Sequence, residues 1–186
     1  AVPQGDDLPM TLNPDPKGDL WELDWPMFGM PGAAIERFIA WRSEVDGVTW
    51  RLPREDEWVR IVRGADRRCF PWGYGYEPGW AALLDAQPAS GRRPFPVGSF
   101  PRDSSPFGPI TDLAGGLMER MGHGHVAEPE FEGHRLLVQP RSDIQSLRGG
   151  TWFGAPGKAR LCGRTSGPWD SRSTLIGFRL VRECAG

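Results

Sequence analysis

From Gly64 to about Gln139, glycine, proline, serine or aspartate breaks the chain every few residues, so no helical or strand period survives long enough to build a long element. Any strands in this stretch are expected to be short. The 25 glycines and 19 prolines among 186 residues would suit disorder, yet nine tryptophans and nine phenylalanines are interspersed with them. Large rigid rings bury much area per residue. The composition therefore predicts a loop-rich fold held by aromatic anchors.

Regular structure is predicted on either side of that stretch. Residues 1–25 carry repeated Asp, Pro and Gly turn signals and read as an irregular segment pinned by Trp21 and Trp25. From Pro31 to Glu44, the apolar residues Ala34, Ile35, Phe38, Ile39 and Trp41 recur at helical spacing, with Gly47 as a stop. Val48 to Leu52 reads as a short extended entry into a second helix that starts at Pro53. Acids fill its first turn (Glu55, Asp56, Glu57), bases its last (Arg60, Arg63), and Gly64 caps it. Ser146–Phe153 and Leu175–Arg182 alternate or run apolar as strands do, and both are expected in an antiparallel sheet. Helices first and strands last make an α+β domain, taken as a single domain over residues 1–186.

The charge pattern excludes several partners. With 22 basic and 24 acidic residues interspersed, the chain has no basic stripe for nucleic acid. No apolar run approaches a bilayer span, and Ala1 to Leu20 has no leader-like pattern, so membrane insertion is not expected. Cys69, Cys162 and Cys184 are odd in number and far apart, which argues against a disulfide framework. A soluble, cytoplasmic protein is expected rather than a secreted one.

Five phrases, in order, resemble the signature of the formylglycine-generating-enzyme (sulfatase-modifying-factor) family. They are TWRLPREDEWVRIVRG (49–64), FPWG (70–73), PVGSFPRDSSPFGPITDLAGGLMER (96–120), LRGGTWFG (147–154) and IGFRLVR (176–182). The wording from Pro26 onward is similar to copies that follow bacterial serine/threonine kinase domains. The resemblance implies a C-type-lectin-like fold, with two helices, small antiparallel sheets and long loops. Within it, Trp50, Trp58, Trp72 and Trp152 would be structural anchors, and Gly149 and Gly150 would permit a bulge or a close backbone approach. Family members usually open with a strand that pairs with the C-terminal strand. Nothing before Pro26 resembles it, so the chain is read as lacking that strand and as fused to, or paired with, an upstream domain.

The resemblance fails where copper chemistry would need it. The oxygen-dependent enzymes of the family hold copper through two cysteines shortly after the Gly-Gly-Ser/Thr-aromatic phrase. Here the phrase runs on through Gly154, Ala155, Pro156, Gly157, Lys158, Ala159 and Arg160 with no cysteine until Cys162. A second branch works with an attached iron-binding domain that supplies histidines. This chain has His123, His125 and His134, which read as solvated loop residues, and the alternating Glu128, Glu130 and Glu132 fit an exposed edge. Neither copper nor iron is expected on that basis. One implied metal site survives in part: a calcium loop with Glu119 as carboxylate ligand and the carbonyls of Asp112, Gly115 and Leu117, although Gly116, Met118 and Arg120 replace the usual residues there.

The resulting expectation is a non-catalytic ligand-binding or sensory module, kinase-linked or variable. Its face would carry Trp152, Phe153, Lys158, Arg160, Arg164, Trp169, Asp170 and Arg172 and take a protein or small-molecule ligand. The alternative is a metal- and oxygen-dependent oxidase or hydroxylase of the same family.

Overall fold

The computed structural model describes residues 22–89, 93–126, 130–132, 135–137 and 140–183. The first helix, α1 (Gly32–Asp46), follows Pro31 and stops at Gly47, whose φ of 64° is left-handed. Ile35 is buried, and Phe38 sits against Phe178 with ring centroids 5.9 Å apart. The end of α1 is tied to the next element: Trp50 Nε1 donates to Asp46 at 2.8 Å and the Trp50 amide to Ser43 Oγ at 3.0 Å. That element is β1 (Trp50–Arg51).

Helix α2 (Glu55–Arg63) begins two residues after Pro53. Its Glu57 carboxylate turns back to accept the Arg54 amide at 2.8 Å, which satisfies an otherwise orphaned donor. The three acids of the first turn and the arginines of the last oppose the helix dipole as expected. Trp58 and Val62 are fully buried and pack with Leu113, Met121 and Leu161. A second cluster gathers Phe70, Ala81, Leu83, Ala114 and Ala159.

The remaining strands are β2 (Met118–Val126), β3 (Glu130–Glu132), β4 (Arg135–Leu137), β5 (Pro140–Arg148), β6 (Thr165–Pro168), β7 (Ile176–Gly177) and β8 (Val181–Arg182). The main sheet has the order β6-β5-β2-β7, while β1 pairs with β8 and β3 with β4. Two strand expectations are corrected here. First, β2 is nine residues long, inside a stretch expected to hold only short strands. Its Gly-His-Gly-His run carries no β-branched or large apolar residue, and its register against β5 shifts between Arg120 and Gly124, so the strand is bulged. Second, the segment 175–182 is not one antiparallel strand. It splits into β7, parallel to β2, and β8, antiparallel to β1.

Strand β5 ends at Arg148; the next residue, Gly149, has φ 84°, and the chain then passes so close to its neighbour that a Cβ on Gly150 would lie 2.4 Å from the Ala114 carbonyl oxygen. The glycine pair thus permits the close backbone approach expected of it. Of the four tryptophan anchors, Trp58 is fully buried and Trp50, Trp72 and Trp152 are half-buried, and each indole N–H has an acceptor. The architecture is α+β and C-type-lectin-like. Among the described residues no helix is long and apolar enough to cross a membrane. Residues 1–21 of the segment 1–25 expected to be irregular, His134, Glu128 and Cys184 lie outside the described residues, as do the side chains of His123, His125, Glu130 and Glu132.

Candidate functional site

The loop expected to wrap calcium is built around two buried carboxylates. Asp103, fully buried, accepts the amides of Leu113 at 3.1 Å, Ala114 at 2.8 Å and Gly115 at 3.1 Å. Burial pushes its carboxyl up to about 7, opposed by those three N–H groups. Gly115 is pressed against the Ala82 backbone, where a Cβ would come within 2.6 Å. The turn is tight enough that Asp112 takes φ 59°, the one non-glycine positive φ among the described residues.

Glu119, near the start of β2, is the second carboxylate. Trp58 Nε1 donates to Oε2 at 2.7 Å, Arg179 Nε donates to the same oxygen at 2.7 Å, and Arg179 Nη2 donates to Oε1. The same Nη2 reaches the carbonyls of Thr111 at 3.1 Å and Asp112 at 3.3 Å. Burial disfavours the charged form of Arg179, but Glu119 outweighs it and holds the guanidinium above its ordinary value.

Two of the four expected calcium donors, the Glu119 carboxylate and the Asp112 carbonyl, are therefore engaged by one arginine. A donor set in which a guanidinium already occupies the carboxylate does not fit a resident calcium without moving Arg179. Sequence reasoning missed Arg179. The available signal was a lone arginine inside the apolar run IGFRLVR, since a charge in such a place needs a buried partner.

The eight residues of the expected ligand face differ in how they are held. Trp152 and Phe153 meet edge to face with centroids 5.7 Å apart. Lys158, Arg160, Asp170 and Arg172 are exposed. Arg164 is committed to the fold, pairing with Glu55 at 2.7 Å beside Arg148, which contacts the same carboxylate. Burial alone would raise Glu55, yet the two arginines keep it below the usual carboxylate range.

Trp169 is clamped as well. Its indole lies against Gly32 at the start of α1, its amide donates to Asp143 at 3.0 Å, and the Arg120 guanidinium stands 5.5 Å from its ring centroid. Arg120 is itself fully buried and donates to the Pro168 carbonyl at 3.2 Å and the Ser171 carbonyl at 2.8 Å, so β2 fixes the turn that presents Asp170.

Among the described residues, no group of three His, Cys, Asp or Glu side chains could hold a metal. Cys162 is exposed and Cys69 half-buried, and both are free thiols.

Comparison with known proteins places this geometry among relatives. The family model described as sulfatase-modifying factor enzyme 1-like domain matches residues 18–184. Hercynine oxygenase of Mycolicibacterium smegmatis is 31% identical over 200 residues, covering 93% of this chain and 42% of that protein. The chain thus spans less than half the length of this curated relative. Among solved structures, PvdO from Pseudomonas aeruginosa superposes with TM-score 0.72 at 22% identity, covering 92% of this chain and 66% of that one. CarF superposes with TM-score 0.64 at 18% identity, covering 90% and 72%. Treponema denticola variable protein 1 superposes with TM-score 0.54 at 22% identity, covering 72% and 47%.

The relationship to an oxygenase overturns both the expectation of a non-catalytic recognition module and the leaning against an enzyme. The missing cysteines do not by themselves exclude redox-metal chemistry. Their absence removes one way of holding copper, whereas imidazole or carboxylate ligands can equally hold a redox metal.

Proposed function

From the premise that the chain belongs to the sulfatase-modifying factor enzyme 1-like family, we propose that it is the substrate-facing domain of an oxygen-dependent oxidoreductase, an oxygenase or oxidase acting on a small molecule. The observation that carries this reading is its 31% identity, over 93% of its length, to an enzyme named as an oxygenase. The donor set of the described residues does not fit a redox metal, so the reading assigns the ligands of that metal to residues outside them. The domain itself contributes a binding wall. The turn 168–171, fixed by Arg120 and Gly32, presents Asp170, and the Trp152–Phe153 pair stands on the loop after the Gly149-Gly150 approach.

The test is oxygen uptake by the full natural chain loaded anaerobically with iron(II), with hercynine supplied as the first substrate and a thiol as co-substrate. Substrate-dependent uptake that disappears without iron supports the reading. Oxygen uptake that no small-molecule substrate stimulates, with either iron or copper supplied, sinks it.

A further inference from the structure

A short 3-10 helix, Leu84–Ala86, backs the loop that carries Trp152 and Phe153 and, with the residue that follows it, holds that loop at two points. The Leu84 amide donates to the Gly154 carbonyl at 3.1 Å, and the Gln87 side-chain Nε2 donates to the Trp152 carbonyl at 3.1 Å. These two carbonyls flank Phe153, so its backbone is fixed from both sides. The bracket is itself anchored. Tyr76, packed against the buried Phe70 cluster, donates its hydroxyl to Asp85, and Gln87 Oε1 accepts the Arg93 amide at 3.0 Å. On the loop's own side the Trp152 amide donates to the Gly116 carbonyl and the Gly154 amide to the Thr151 carbonyl, each at 2.7 Å.

The ring fixed in this way stays 46% exposed, although Trp152 meets it edge to face. A large apolar side chain on a loose loop must be ordered when a ligand arrives, and that ordering costs affinity; a ring held in place beforehand avoids most of the cost. Of the two bonds that reach the loop from the bracket, only the one from Gln87 is made by a side chain. That side chain must offer a donor to Trp152 and an acceptor to Arg93 at once, which an amide does and a carboxylate does not. We propose that Gln87 is a positioning residue that pre-sets the Phe153 ring as the wall against which the small-molecule substrate packs. The inference rests on the proposed oxygenase reading, and one arm of its test needs no turnover.

Gln87→Glu is the informative variant, because it is isosteric, keeps an acceptor for the Arg93 amide and removes only the donor to Trp152. In the full natural chain, assayed by oxygen uptake with hercynine and a thiol, it is expected to raise the KM of one of these substrates about tenfold while kcat falls less than about twofold. Phe153→Ala should do the same, and the double variant no more than either alone, because both act through one ring. A 4-fluoro label on Phe153 should give one sharp fluorine NMR line in the parent and a broadened or divided line in Gln87→Glu. An unchanged KM for both substrates, a loss confined to kcat, or KM effects that multiply in the double variant overturns the proposal. An unchanged fluorine line overturns it whether or not turnover is seen, whereas an altered line without substrate-dependent uptake supports the positioning and sinks only the oxygenase reading.

Discussion

The Arg179 guanidinium lies along the Glu119 carboxylate, with Nε 2.7 Å from Oε2 and Nη2 on the other oxygen, while Trp58 Nε1 completes the carboxylate from α2. One ion pair thus joins the segment between β7 and β8 to the start of β2, and the Trp58 N–H ties the pair to α2. Glu119 is 6% exposed, so removing its partner strands a charge in the interior. Arg179→Met is expected to cost about 3–5 kcal/mol in urea unfolding. Adding Glu119→Gln should recover part of that, because the amide oxygen can still accept the Trp58 N–H. A cost below about 1 kcal/mol for the single variant would mean that water reaches the pair.

Gly32 and Trp169 provide a steric test of how α1 is seated. A Cβ on Gly32 would lie 2.0 Å from the indole, so the helix can start there only with no side chain at that position. Alanine is ordinarily the better helix residue, by about 1 kcal/mol. Gly32→Ala should nevertheless destabilise, by about 1–3 kcal/mol, and shift the tryptophan fluorescence as Trp169 leaves the Arg120 guanidinium. Gly157→Ala, with nothing within 4 Å of its Cβ, is the control and should be near neutral. If the two variants behave alike, the Trp169 clamp is not a constraint on the fold.

Two carboxylates set opposite pH slopes. The Arg51 guanidinium, bonded at 2.7 Å to each Glu57 oxygen, holds Glu57 down at about 2 from an ordinary 4.5. The stability it contributes is present above pH 4.5 and lost as pH falls toward 2. Asp103 is raised from 3.8 to about 7, chiefly by burial, so its contribution is full below pH 3.8 and lost as pH rises through 7. Unfolding free energies measured from pH 3 to pH 8 on Glu57→Gln and Asp103→Asn should lose slope at opposite ends of that range. Parallel curves for both variants and the parent would contradict these assignments.

Much of the scaffold could be read from the chain because its signals were local. The acids before Trp58 and the bases before Gly64 mark α2 without any knowledge of its neighbours, and Gly47 stops α1 as a left-handed cap. The site was harder to read because its partners come from far apart in sequence. Arg179 meets Glu119 across 60 residues, Arg120 reaches Ser171 across 51, and Asp103 accepts amides ten to twelve residues away in a run of turn-formers. Strand β2 escaped for a related reason. It pairs on both sides, with β5 and β7, so it is held by ladders on its two edges and not by an alternating face of its own. The cysteines mislead about function because the lack of one ligand set is not the lack of catalysis.

Cys162 gives a direct check on that correction. It is exposed and lies beyond the positions, shortly after the Gly149-Gly150-Thr151-Trp152 phrase, where the family's copper enzymes would need two cysteines. In the proposed oxygenase the thiol has no part, so Cys162→Ser should leave substrate-dependent oxygen uptake unchanged while removing the corresponding reaction with a thiol reagent. Loss of uptake in a variant that unfolds normally would return Cys162 to the chemistry.

Calcium and Arg179 make the last prediction, because they compete for the same oxygens. In the native chain the guanidinium holds both Glu119 oxygens and the carbonyls of Thr111 and Asp112, so an incoming ion must first displace a half-buried cation that is bonded to four acceptor atoms. Millimolar calcium is therefore expected to leave the thermal midpoint of the native protein unchanged, and a chelator likewise. Arg179→Met removes the competitor and frees the Glu119 carboxylate and the Asp112 carbonyl, two of the four donors expected of a calcium loop here. That variant should gain calcium-dependent stability, amounting to about 2–3 kcal/mol once the ion reaches a hundredfold excess over its dissociation constant. Calcium stabilisation of the native chain would instead show that Arg179 swings aside for the ion, and stabilisation of neither would show that the loop has lost the cradle altogether.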